Sequence, residues 1–275
     1  MDPIAALVKT IDSTGRPASK ALKAHVELEV TIDKTIIPAR NVVGVVRGTL
    51  YPDEYVVIGA HYDHVGYFDA PADAMDTARG EIDTIYNGAD DNASGTTALL
   101  LNAEAFGSLP QERRPARSIL FIAFSGEEKG LFGSRAYVAE PLVPIEKTVA
   151  MLNMDMVGRN HPDSVSIAGR SRSPELSAMA EEANRSEPMT IAYDLEGMFF
   201  RSDQASFAQK QIPVLFFSSG QHPDYHMVSD SPDKIDNQKL AHIARLCFRT
   251  AWLVAESPDR PKYDVSGDKG TAFFD

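Results

Sequence analysis

Apolar positions along this chain follow two rhythms. At 25–32, His-Val-Glu-Leu-Glu-Val-Thr-Ile alternates with a period of two, which predicts a half-exposed strand. Elsewhere the apolar runs are short and nearly unbroken, at 55–59 (Tyr-Val-Val-Ile-Gly), 118–124 (Ser-Ile-Leu-Phe-Ile-Ala-Phe) and 148–154. A strand that is apolar on both faces predicts burial on both faces. Further strands are expected at 41–46, 164–168 and 213–217. Helices are expected at 95–106, 131–139, 174–186, 203–210 and 237–256, with Pro188 and Pro213 punctuating the joins. Buried strands alternating with amphipathic helices predict an α/β fold, three layers α/β/α around a central mixed, mainly parallel sheet.

Residues 1–22 read as a short helix and a connector through the turn-prone Ser13-Thr14-Gly15-Arg16-Pro17. Residues 62–90, rich in Asp, Ala, Gly and Pro, predict a long irregular loop, a feature that is usually functional inside a compact domain. The expected organisation is a single domain overall. Residues 1–40 would form an N-terminal connector and edge strand packed on the main body, 41–275.

Composition narrows the function classes. A length of 275 residues suffices for one large domain with a full core. The 43% apolar and 24% charged content belongs to a globular chain rather than a disordered one. No apolar run approaches the ~18 residues that span a bilayer, so no membrane span is expected. The 27 basic against 39 acidic residues leave a net charge of −12, which argues against nucleic acid as a partner. One cysteine, Cys247, excludes an intrachain disulfide and a thiolate metal cluster; its place in the 237–256 helix predicts a buried structural thiol. The start, Met1-Asp2-Pro3, lacks the basic and apolar regions of a signal peptide.

Five segments carry candidate chemistry, most of them just past the C-terminal ends of predicted strands, where open α/β sheets form their crevice. After the 55–59 strand comes Ala60-His61-Tyr62-Asp63-His64. Here a histidine can aim one ring nitrogen at a metal while Asp63 accepts from the other; a pair of surface histidines fits the same letters. Asn87-Gly88-Ala89-Asp90-Asp91-Asn92 sets two carboxylates side by side, a pairing that a cation relieves and that a helix N-terminus also welcomes. Ser125-Gly126-Glu127-Glu128 follows the 118–124 strand, and adjacent glutamates can divide metal ligation and proton transfer between them. Asp155 closes a very apolar strand, where a charged carboxylate needs a partner. Pro223-Asp224-Tyr225-His226, followed by Ser229-Asp230, adds an imidazole and a phenol able to donate to an oxyanion. Nitrogen and oxygen donors without sulfur suit Zn²⁺, with Mn²⁺ or Co²⁺ as substitutes.

The motifs Gly-Ala-His-Tyr-Asp-His, Asn-Gly-Ala-Asp-Asp-Asn-Ala-Ser-Gly, Ser-Gly-Glu-Glu-Lys-Gly-Leu-Phe-Gly-Ser, Asn-Met-Asp-Met-Val-Gly and Tyr-His-Met-Val-Ser-Asp occur in this order. In order and spacing the chain resembles the co-catalytic di-zinc aminopeptidases, a family that includes glutamate carboxypeptidase, glutaminyl cyclase and the transferrin receptor. The resemblance runs from about Asn41 to Glu256. It implies the zinc-dependent exopeptidase fold and two zinc ions, one held by His61 and Asp155, the other by Glu128 and His226, with Asp91 bridging. It further implies a cis peptide between Asp91 and Asn92, Glu127 as general base, Tyr225 as oxyanion donor and Asp63 as the partner of His61. Peptides are the implied substrates, cut at the N-terminal bond.

Specificity reads less directly. Met198-Phe199-Phe200 and Phe207 fit either an apolar side-chain pocket or the core, and Arg201, Phe199 and Phe207 are the candidate substrate-binding residues. Gln204 stands where the resembling segment usually has His, which leaves that position's role open. Residues 4–40 resemble the connector after a protease-associated domain, which implies a longer and exported, periplasmic or extracellular, parent protein. Three other readings remain open at this point: carboxypeptidase or dipeptidase activity, a glutaminyl-cyclase-like acyltransferase, and a non-catalytic binding domain.

Overall fold

A computed structural model describes residues 3–19, 25, 27–33, 36–68, 75–76 and 81–268. The chain divides into two compact units, Met1–Pro38 and Ala39–Asp275. In the first, helix α1 spans Pro3–Thr14. The strand expected at 25–32 does not form among the described residues there: Leu28, Val30 and Ile32 are all exposed. Period-two alternation specifies a strand only where a neighbouring backbone takes up its N–H and C=O groups, and no ladder runs along this stretch.

The second unit is built on a seven-stranded sheet. Strand β1 is Val42–Val46 and β2 is Tyr51–His61. Four two-residue strands then interrupt the expected long loop: β3 (Gly66–Tyr67) pairs with β6 (Ile85–Tyr86), and β4 (Met75–Asp76) with β5 (Glu81–Ile82). Helix α2 (Gly95–Gly107), β7 (Arg117–Phe124), α3 (Phe132–Ala139) and β8 (Thr148–Met154) follow. The chain continues through β9 (Ser164–Ala168), α4 (Pro174–Asn184), β10 (Thr190–Ala192), α5 (Gln204–Ala208), β11 (Val214–Ser218) and α6 (Asn237–Glu256). Strand order is β1-β7-β2-β8-β11-β9-β10. The β7–β2, β2–β8, β8–β11 and β9–β10 pairs are parallel; β1–β7 and β11–β9 are antiparallel. Strand β10, short and only partly buried, carries too weak a pattern to be read from sequence.

The unbroken apolar runs have a plain cause. Successive side chains on a strand point to opposite faces, and here both faces are covered. Val56 and Ile58 of β2, Ile119 and Phe121 of β7 and Leu152 of β8 pack with Phe106 of α2, Leu176 of α4 and Ile243 of α6. Their alternates, Val57, Leu120, Ile122 and Met151, pack on the other face with Tyr137 of α3 and Phe207 of α5. The three-layer α/β/α architecture follows. Asp236 caps α6 by accepting from the Gln238 and Lys239 N–H groups. Cys247 is fully buried in that helix, and burial pushes its thiol pKa up, as a structural role requires. No described helix is long and apolar enough to cross a membrane.

At the far end of the sheet from the strands' C-termini, Glu54 accepts from Arg260 at 2.6 Å and from Arg117 Nε at 2.7 Å. The Arg260 hydrogen bond, opposed by burial and helped by Arg117, lowers its pKa from 4.5 to about 2. A depressed carboxylate contributes stability that is complete above its unfolded pKa, 4.5, and is lost as pH falls through about 2. Glu54→Gln is therefore expected to lower unfolding free energy by about 1–3 kcal/mol at neutral pH. Urea unfolding of both proteins should show that gap closing between pH 4.5 and 2.

Candidate metal centre and active site

Sheet topology brings the polar segments together at the C-terminal ends of the parallel strands. His61 is the last residue of β2, and its side chain is buried. Its Nδ1 lies 3.0 Å from the main-chain carbonyl of Asp63. A carbonyl only accepts, so Nδ1 carries a proton and Nε2 is the nitrogen turned to the site. The tautomer expected for a metal ligand is thus set, but by the Asp63 backbone rather than its carboxylate. The Asp63 carboxylate meets the Glu127 N–H instead, with Oδ1 at 3.4 Å.

His61 Nε2 faces Asp91 Oδ1 at 3.3 Å and Asp155 Oδ1 at 3.4 Å. Asp155 follows directly on β8. Asp91 precedes α2, with a cis peptide joining it to Asn92. The surrounding backbone is clamped. Asp90 and Asp91 N–H groups donate to the Asp230 carboxylate at 3.0–3.1 Å. The Asn92 side chain donates to the Met154 carbonyl and accepts from the Gly95 and Met156 N–H groups. Gly95 must be glycine here, since a Cβ would lie 2.3 Å from the Met154 carbonyl oxygen. Asp90, the neighbour, turns the other way: its carboxylate accepts from the Gly158 N–H at 2.7 Å and lies 3.3 Å from His222 Nε2. The two adjacent aspartates therefore divide into one structural group and one facing the site.

A second cluster stands beside the first. His226 Nε2 lies 3.1 Å from Asp91 Oδ2 and 3.1 Å from Glu128 Oε2. Asp91 thus offers one oxygen to each cluster. Glu127 and Glu128 follow β7 through Gly126, which takes φ 75°. Glu128 turns toward His226, and both glutamates border the adjoining cavity. Burial, against the pull of His61 and together with the charges of Asp155, Asp203 and Glu128, pushes the Glu127 pKa up to about 9. Tyr225 stacks on His226 with ring centroids 3.9 Å apart. Burial and the charges of Asp91 and Glu128 push its pKa up to about 12, so it stays a phenol and a donor.

The loop carrying Tyr225 and His226 is anchored through Asp224, a role that the sequence did not reveal. Its carboxylate accepts from Arg159, Ser229 and Lys234, each at 2.7 Å. Those bonds overcome the opposing effect of burial and hold Asp224 well below the usual carboxylate range. Asp224→Asn is expected to weaken zinc affinity roughly 10–100-fold by loosening His226, as loss of a ligand's support does. Competition with a zinc-binding dye would measure it.

The donors fit a metal centre. His61 Nε2, His226 Nε2, Asp155 Oδ1 and Glu128 Oε1 are buried, close to one another and yet without hydrogen-bond partners. Buried polar atoms normally are paired, and a cation supplies what they lack. Imidazole and carboxylate donors without sulfur suit zinc.

A cavity of about 480 Å³ opens beside these groups, reaching Glu127, Tyr225 and Arg201 among its walls. Phe199 and Phe207 do not line it, contrary to the sequence expectation. Both are fully buried in the core, Phe199 beneath the Arg172 guanidinium and Phe207 against Phe124 and Tyr137. Leu195, Met198, Phe200 and Phe216 form the apolar wall instead. A run such as Met-Phe-Phe does not disclose which ring turns inward, because that depends on the turn it sits in. Gln204 accepts from Asn153 and donates to the Phe199 carbonyl, holding the loop under this wall.

Residues 41–251 match Peptidase family M28. A probable zinc metalloprotease of Leptosphaeria maculans is 26% identical over 91% of this chain and 65% of its own. A probable leucine aminopeptidase of Arthroderma benhamiae is 27% identical over 74% of this chain and 55% of its own. The fold is similar to a solved aminopeptidase from Aneurinibacillus sp. strain AM-1, with a TM-score of 0.61 at 24% identity, over 80% of this chain and 49% of that one. The chain thus spans less than two thirds of the length of these relatives.

Proposed function

The chain belongs to peptidase family M28, and from that premise we propose that it is the catalytic part of a two-zinc aminopeptidase. The observation that carries the reading is Asp91, whose Oδ1 faces His61 and whose Oδ2 faces His226, with Asp155 beside the first imidazole and Glu128 beside the second. His61, Asp91 and Asp155 would hold one ion, and Asp91, Glu128 and His226 the other. When bound, such a pair supplies Lewis acidity that polarises a carbonyl and makes water nucleophilic at neutral pH.

This chain's own groups do the rest. Glu127, facing the cavity, takes the proton from the attacking water and passes it to the leaving amine; beside bound cations its carboxyl stays ionised against the burial that raises its pKa. Tyr225 donates its hydroxyl to the oxyanion formed at the scissile carbonyl. Substrate enters the cavity by a chain end, since about 480 Å³ is on the scale of small-molecule pockets. Its apolar wall takes the terminal side chain. Arg135 and Arg201, both on the cavity wall, favour one second reading, a carboxypeptidase in which a guanidinium grips the terminal carboxylate.

Mass spectrometry of a mixed peptide set incubated with zinc-loaded protein tests both. Stepwise N-terminal loss, blocked by N-acetylation and by chelation, is the expected result. Loss from the C-terminus would replace the first reading by the second, and single loss of ammonia from peptides starting with Gln would point to a cyclase.

A further inference from the structure

His64 has no part in the ligand set above, yet its ring is aimed at it. Nδ1 lies 2.7 Å from Glu128 Oε1 and 3.9 Å from Asp91 Oδ2. The side chain is only 9% exposed, and the ring meets that of His226 edge-on with centroids 5.5 Å apart. The approach to Glu128 is short but poorly aligned for a hydrogen bond, and both His64 Nδ1 and Glu128 Oε1 are buried. Glu128 repeats the pattern of Asp91: Oε2 faces His226, and Oε1 faces His64.

The local chain is shaped around this ring. Gly88, with φ 61°, lies against it so closely that a Cβ would sit 2.6 Å from His64 Cγ. Since His64 Nε2 also lacks a partner, packing rather than hydrogen bonding holds the ring in place.

We propose that His64 is a fourth protein ligand, through Nδ1, of the metal position formed by Asp91, Glu128 and His226, a proposal that rests on the metal-dependent reading above. The two positions are then unequal. One has three protein donors (His61, Asp91 and Asp155) and keeps room for water and substrate. The other has four (His64, His226, Asp91 and Glu128), the count at which a zinc site closes. The closed position fills first and releases its ion last.

Two measurements on the full chain, stripped of metal by chelation, test this. Calorimetric titration with Zn²⁺ should show two unequal sites in the unaltered protein. In His64→Gln the tighter of them should weaken by roughly tenfold or more, since even losing a ligand's supporting partner costs that much. Second, protein with ¹⁵N-labelled histidine and loaded with ¹¹³Cd²⁺ should show one cadmium coupled to two imidazoles and the other to one. This second readout needs no variant, so a misfolded His64→Gln would not impair it. One imidazole on each cadmium, or Zn²⁺ titrations identical for the two proteins, would overturn the ligand role and leave His64 as an ion-pair partner of Glu128. Unaltered protein that binds no metal would instead overturn the metal-dependent reading itself.

Discussion

Glu127→Gln is expected to lower kcat by roughly 10²–10⁴-fold, the usual worth of a positioned general base, while KM and zinc content stay near those of the unaltered protein. The amide matches the carboxylate in shape but cannot accept the proton. Glu127 touches neither His61 nor His226 in the structure, whereas Glu128 lies 3.1 Å from His226. The Glu127 backbone N–H, 3.4 Å from the Asp63 carboxylate, is untouched by the change, so the turn survives. Steady-state kinetics paired with elemental analysis measures both quantities on one sample. Zinc loss in Glu127→Gln would mean that the two glutamates have exchanged roles.

Asp91→Ala is expected to leave less than one zinc per chain and to abolish turnover. Each cluster then loses a carboxylate oxygen at once, and the His61 side is left with only His61 and Asp155. The metal-free protein should lose stability too, because, against burial, His226 and His61 hold the Asp91 carboxyl well below the usual carboxylate range and those pairings go with it. Asp90→Ala should keep its zinc content near that of the unaltered protein. It strips the Gly158 N–H of its acceptor, a loss of about 1–3 kcal/mol in stability for a buried group left unpaired. Thermal unfolding of both metal-free variants beside their zinc content separates the neighbours.

Much of this was legible because it is local. The runs at 55–59, 118–124 and 148–154 were apolar throughout, and a strand covered on both faces requires that. Residues placed just past those runs, His61, Glu127, Glu128 and Asp155, had to emerge at one end of a parallel sheet. What stayed hidden depends on partners far along the chain. Asp230 receives the N–H groups of Asp90 and Asp91 across about 140 residues, and Arg159 reaches Asp224 across 65. Nothing in the letters near Asp230 marks it as the clamp. Phe199 and Phe207 were ambiguous for a related reason, since an aromatic ring suits core and pocket alike. The alternation at 25–32 misled because it describes a surface suited to pairing, not the pairing itself. His64 had a visible signal, a second imidazole three residues after His61, but only the fold shows it turned toward Glu128.

On this reading Asp91 stands between two metal positions. Anomalous diffraction at the zinc edge, from crystals of the full chain grown with zinc, tests it most directly. Two peaks roughly 3.5–4 Å apart are expected, one on the His61 side of the Asp91 carboxylate and one on the His226 side. A single peak, or two peaks with Asp91 touching only one, would contradict it.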